Sequence, residues 1–181
     1  MLPAQHLTLR CLTVLFLSAV IPAMAWAAPP AADAANATTT VYLVRHAEKA
    51  DGDDPTLSPS GQTRAITLAH VLADAGLSAV FVTDTRRSRD TAAPVAAATG
   101  LAATRYDARD AQALAATVRA DHAGQAVLVV GHSNTLDDLA AAFGAHGLAD
   151  LDESQYDRLY VVQAGSNDVR LLQLRYGTPT H

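Results

Sequence analysis

The sequence predicts an α/β domain of three layers, α/β/α, around a mostly parallel central sheet. Two observations carry this. Short apolar runs, Val41-Tyr-Leu-Val44, Ala79-Val-Phe-Val-Thr83 and Ala126-Val-Leu-Val-Val130, have strand length and almost no polar alternation, as strands covered on both faces do. Segments of helical length separate them, giving the βαβ alternation of a parallel sheet with helices on its faces. A third observation concerns how the runs end: each stops at basic or polar residues, where ligands bind in open parallel sheets.

The elements follow in order. Residues 1–10 carry Arg10 as their one Lys or Arg side chain, residues 11–25 are almost continuously apolar, and Ala23-Met-Ala25 or Ala25-Trp-Ala27 offers a small-x-small cleavage site. This reads as a signal peptide over 1–27. The rival reading is a membrane anchor, since Cys11 to Ala28 is about 18 residues, near the lower limit for a span; Pro22 and the small-residue end weigh against it. Residues 28–39 form a flexible leader rich in Ala, Pro, Thr, Asn and Asp, and the domain occupies 40–181. After the first strand, Asp51-Gly-Asp-Asp-Pro55 is a turn-rich loop. Ser58-Pro59 then supplies an N-cap and a first-turn proline for a helix running to about Ala75, stopped by Gly76. Strand 79–83, helix 85–98, an extended piece at 102–106, helix 110–120, strand 126–131 and helix 134–145 come next. Strands 158–164 and 169–176 form a hairpin through Gly165-Ser-Asn-Asp168.

Composition narrows the function. Cys11 is the only cysteine of the 181 residues, so cleavage leaves no thiol, excluding thiolate catalysis and cysteine metal sites. It also leaves 12 basic against 18 acidic residues, a balance that argues against nucleic acid or a stable membrane contact as partner. No Gly-rich loop follows a strand, so no nucleotide cofactor is expected. His46-x-Glu48 lacks the partners for a zinc site.

The basic strand ends suit an anion. Arg45-His46 follows the first strand, Gly131-His132-Ser133-Asn134-Thr135 the last parallel one, and Arg86, Arg87 and Arg89 sit in the first turn of a helix, where cations oppose the macrodipole unless an anion is bound. For Arg86 and Arg89 a solvated basic face, offset by Asp84 and Asp90, is the simpler reading. His70, His122, His146 and His181 read as surface, loop or terminal residues, and Glu48-Lys49 as a solvated pair opening a loop.

These blocks resemble the histidine phosphatase superfamily, the phosphoglycerate-mutase-like phosphohydrolases. Its Arg-His-Gly appears as Arg45-His46-Ala47, and the likeness continues through Asp54–Ala65, Thr83–Ala92 and Val129–Thr135 in the family's order. The resemblance implies that His46 is the nucleophile that becomes phosphohistidine, that Arg45, Arg87 and His132 hold and polarise the phosphoryl group, and that water hydrolyses the intermediate. The substrate would be a small phosphorylated molecule such as a phosphosugar. Two family features are missing. The Glu that relatives use as general acid is absent from Thr104–Asp110, leaving Asp107 or Asp110 as candidates, and Gly52, Asp53 and Asp54 replace the Asn or Ser past the nucleophile. A phosphate-binding module with little turnover is therefore one alternative. Another is a serine esterase on Ser133, whose surroundings approach Gly-x-Ser-x-Gly but end in Thr135. Roughly 20 residues join Tyr106 to the last parallel strand, enough for one crossover helix but not for a covering insertion, so an open pocket is expected, which favours phosphatase over mutase. The signal peptide places the protein in the periplasm or outside the cell.

Overall fold

A computed structural model describes residues 37–180. The segment expected to be a signal peptide, Cys11 and most of the expected leader lie outside the described residues. Among those described, no helix is long and apolar enough to cross a membrane.

Ten elements follow one another: β1 (Thr39–Arg45), α1 (Pro59–Val71), β2 (Leu77–Val82), α2 (Arg86–Thr99), β3 (Ala103–Arg105), α3 (Ala111–Asp121), β4 (Ala126–Gly131), α4 (Leu136–Ala142), β5 (Arg158–Ala164) and β6 (Val169–Arg175). The six strands form one sheet in the order β3-β2-β4-β1-β5-β6. Pairs β2–β3, β2–β4 and β1–β4 are parallel, whereas β5 runs antiparallel to both β1 and β6. The sheet is thus mixed, its parallel part carrying the basic strand ends.

Alternation along the central strands sends side chains to two cores. Val41, Leu43, Val127 and Val129 pack with Leu114 and Val118 of α3 and Leu136 and Leu139 of α4. Val44, Leu128 and Val130 pack on the other face with Leu68 of α1 and Ala92 and Val95 of α2. These are the three predicted layers. Each buried Val or Leu contributes ~1.5–3 kcal/mol relative to exposure.

Local signals set most element boundaries. The Ser58 hydroxyl accepts the Gly61 N–H at 3.2 Å with Pro59 at the first helical position, and Asp110 caps α3 by accepting the Ala113 N–H at 2.9 Å. Gly100 ends α2 at φ 72°, a left-handed turn that glycine enters without steric cost. The hairpin closes with Gly165 N–H donating to the Asp168 carbonyl at 2.9 Å. Helices α1 and α4 are shorter than predicted. Leu72 closes α1 before Gly76 is reached, and after Phe143 the chain turns at Gly144, φ 93°. Thr39 belongs to β1 rather than to the leader, because its backbone pairs with Ala164 and its hydroxyl accepts the Gly124 N–H at 3.0 Å.

Candidate active site

Register brings the site together. Val44 and Val82 both pair with Val130, and Arg45 with Gly131, so β1, β2 and β4 end side by side. The residues that follow, His46, Thr83 and His132, converge at the carboxyl edge of the sheet. The His46 N–H donates to the Gly131 carbonyl at 3.0 Å, and the His46 and His132 rings stand 5.4 Å apart, edge to face.

His46 is 3 % exposed. Its Nδ1 lies 2.9 Å from the Ala47 carbonyl oxygen, which can only accept, so Nδ1 carries the proton and Nε2 is left with the lone pair. Burial, reinforced by the Arg45, Arg87 and His132 charges, lowers its pKa from 6.5 to about 3 despite the Ala47 hydrogen bond. Nε2 therefore stays a neutral nucleophile at ordinary pH. The loop carrying it is pinned to α2, where the Thr91 hydroxyl accepts the Ala47 N–H at 2.9 Å and donates to the Arg87 carbonyl at 2.7 Å.

His132 is held by Thr83, whose hydroxyl lies 3.0 Å from Nε2. Thr83 in turn donates to Ser88 Oγ at 2.8 Å, which leaves its oxygen to accept from the His132 Nε2–H. Burial and the neighbouring Arg87 and Arg45 lower the His132 pKa to about 4. A bound dianion beside this ring would stabilise the protonated form and raise that value.

Arg45 is 1 % exposed. Its Nη1 donates to the carbonyls of Asp152, Glu153 and Gln155 at 3.0, 3.0 and 3.2 Å. Nη2 donates to Glu153 Oε2 at 2.9 Å, and the guanidinium lies 4.0 Å over the Tyr156 ring. Its Nε, like Arg87 Nε, is buried with no partner among the described residues. A buried unsatisfied donor costs ~1–3 kcal/mol, more when charged, and two of them beside two neutral imidazoles form an anion site. Arg45, His46, Arg87 and His132, all expected from the sequence, thus meet.

The other sequence candidates fare differently. Arg86 presents an exposed side chain, and Arg89 pairs with Asp84 at 2.9 Å, so both belong to the solvated face; Asp84 also takes Arg105 at 3.0 Å. Asp107 is exposed and bound to Arg109, which lowers its pKa, the wrong direction for a general acid. Asp110 is occupied as the α3 cap. Ser133 Oγ donates to Glu153 Oε1 at 3.0 Å, and His132 Nε2 is taken by Thr83, so the Ser–His contact an esterase uses is not formed. Asp54 accepts the Arg86 N–H at 2.9 Å. Glu48 is not a solvated pair member: Arg64, 4 % exposed, donates to both of its oxygens at 2.8–3.0 Å. Among the described residues no group of three His, Cys, Asp or Glu could hold a metal.

Three residues of interest escape a reading of the sequence: Glu153, Tyr156 and Arg64. The first two lie between α4 and β5 in a segment without periodicity, more than a hundred positions from Arg45. Arg64 has a signal, since it shares the buried stripe of α1 with Gly61, Ala65 and Leu68. Cover over Arg45 comes from residues 152–156, between α4 and β5, rather than from an insertion after β3.

An α/β/α sandwich with paired histidines and unpartnered guanidinium nitrogens at its parallel strand ends has the phosphoglycerate-mutase-like architecture. Residues 41–109 match the family model described as histidine phosphatase superfamily (branch 1), a match over less than half of the chain. No curated protein matches it. Among solved structures it is similar to a mycobacterial glucosyl-3-phosphoglycerate phosphatase, at 16% identity and TM-score 0.60, covering 78% of this chain and 100% of that one. It is also similar to the protein histidine phosphatase SixA complexed with tungstate, at 19% identity and TM-score 0.61, covering 75% and 96%. A third is the putative phosphohistidine phosphatase SixA from Agrobacterium tumefaciens, at 23% identity and TM-score 0.56, covering 78% and 99%. At such identities the likeness is one of fold.

Proposed function

We propose that this protein is a phosphatase that hydrolyses a phosphate monoester or phosphoramidate through a phosphohistidine on His46. The family-model match over residues 41–109 and the phosphatases among the structural neighbours support phosphatase activity. One observation carries the covalent reading: the Nδ1 proton of His46 is committed to the Ala47 carbonyl at 2.9 Å, which leaves Nε2 neutral among groups that attract an anion. His46 Nε2 attacks phosphorus, the bond to the leaving oxygen or nitrogen breaks, and the Arg45, Arg87 and His132 side chains take up charge on the equatorial oxygens. Water then cleaves the N–P bond and returns the free imidazole. With Asp107 and Asp110 both engaged elsewhere, substrates whose leaving group departs without a proton should turn over fastest.

Rapid quench of 32P-labelled substrate tests this. Acid-labile label on the wild type and none on His46→Ala is the expected result; label that survives the substitution, or maps to Ser133, overturns it. A phosphate-binding module with little turnover is the second reading, favoured by the lack of a free acid near the leaving group. Vanadate binding without hydrolysis of p-nitrophenyl phosphate would establish it.

We also infer export. An apolar segment and a small-x-small end precede the domain, which supports cleavage after Ala25 or Ala27 and a periplasmic or secreted phosphatase acting on a small phosphorylated substrate. Intact mass of protein recovered from the periplasmic fraction tests it: a full-length mass in the membrane fraction would overturn the reading.

A further inference from the structure

Glu153 stands at the anion site without a role so far. Its Oε2 accepts from Arg45 Nη2 at 2.9 Å and its Oε1 from Ser133 Oγ at 3.0 Å. Arg45 is buried, but the Glu153 side chain is 80% exposed, so its outer edge is open to whatever enters. The other carboxylates discussed above are paired away from the pocket: Glu48 with Arg64, Asp84 with Arg89 and Arg105, and Asp107 with Arg109. Glu153 is also poorly suited to be the missing acid, because the Ser133 hydroxyl and the Arg45 charge hold its carboxyl below the usual range.

A charge count shows what it does instead. Arg45 and Arg87 bring two positive charges, and Glu153 removes one. A phosphoryl dianion therefore meets less positive charge than the two guanidiniums alone would offer. We propose that Glu153 is a specificity-determining residue that selects phosphorylated substrates bearing an ammonium or similar cation close to phosphorus. The cation would lie against the exposed edge of the Glu153 carboxylate while the phosphoryl oxygens take Arg45 Nε and Arg87 Nε. Substrates with a neutral leaving group would bring no cation to this edge and would set their own charge beside the carboxylate. This rests on the anion-site reading but not on turnover.

The test uses two isosteric, non-hydrolysable probes, 2-aminoethylphosphonate and propylphosphonate, titrated calorimetrically into the domain. The wild type should bind the amino compound about fivefold more tightly, the upper end for an exposed ion pair. Glu153→Gln, which keeps the shape and a hydrogen-bonding oxygen, should abolish the preference and tighten inorganic phosphate by a similar factor. Equal binding of the two probes by the wild type, a preference that survives in Glu153→Gln, or binding of neither probe overturns the proposal. Hydrolysis of p-nitrophenyl phosphate is assayed separately, so loss of the phosphatase reading would leave the measured probe preference unaffected.

Discussion

Arg45 and Arg64 are both almost wholly buried, yet they differ in what their nitrogens meet. Arg64 donates from Nε and Nη2 to the Glu48 carboxylate, from Nη1 to the Tyr176 carbonyl and from Nη2 to the Thr178 carbonyl, all within 3.0 Å. Four of its five N–H groups are thus spent, and the fifth is on Nη1, which is already tied to the Tyr176 carbonyl. Arg45 is braced by three carbonyls and by Glu153, while Nε is buried with no partner among the described residues. The first is a rivet and the second a half-filled socket. What separates the two is which donor the fold leaves over: one N–H of Nη1 in Arg64, the buried Nε in Arg45.

The largest effect should come from breaking the rivet. Arg64→Ala leaves Glu48 uncompensated in a largely buried position and should cost ~3–5 kcal/mol of stability, read as a lower urea midpoint at unchanged slope; a loss below about 1 kcal/mol, the ordinary worth of an exposed pair, would mean that water serves Glu48 equally well. The socket should respond in affinity instead. Arg87→Ala should weaken vanadate or phosphate binding by ~1.5–3 kcal/mol, the worth of a hydrogen bond to a charged group, measured by competition against p-nitrophenyl phosphate. If Arg64→Ala, assayed where it is still folded, weakens vanadate as much, the distinction fails.

Acid should separate the regions again. His46 and His132 have folded pKa values of about 3 and about 4 against 6.5. The unfolded chain binds protons first, so stability is fully present above pH 6.5 and is lost as pH falls toward those values, by up to ~1.4 kcal/mol per pH unit for each proton. His46→Ala and His132→Ala should each flatten that slope in thermal melts taken between about pH 4 and 6.5. An unchanged slope would place the titrating groups elsewhere. The smallest effect belongs to Arg86, whose exposed side chain lies outside both regions. Arg86→Ala should leave vanadate affinity within about twofold, as surface changes usually do, and a larger loss would mean that it, not Arg87, enters the site.

Much of the socket is legible in the sequence because strands announce their ends. An apolar run interrupted by Arg45-His46 or Gly131-His132 marks a sheet edge, and the parallel order of β1, β2 and β4 brings those edges together without further information. The carboxyl ends of α1 and α4 are less readable. Helical propensity continues through Ala73 and Ala145, and only the turns of the following chain decide where the helix stops. Glu153 and Tyr156 carry no local signal, since nothing in Asp152-Glu-Ser-Gln-Tyr156 says which distant cation it will meet. The buried ion pair of Glu48 looks solvated from its neighbours alone because its partner lies sixteen residues on, in the next helix.

The acceptors for Arg64 lie 112 and 114 positions beyond it. A chain made from its amino end presents α1 long before Tyr176 and Thr178 exist, so until then the helix must keep a charged side chain wet that the finished fold keeps dry. Docking of α1 is thereby linked to synthesis through Thr178, and with it the seating of the loop that bears His46, since Glu48 is the other half of the rivet. Contacts of such long separation slow folding. The domain thus has a built-in order of assembly, in which its last residues lock its first functional ones, and a nascent chain stopped short of Tyr176 should remain open to protease at α1.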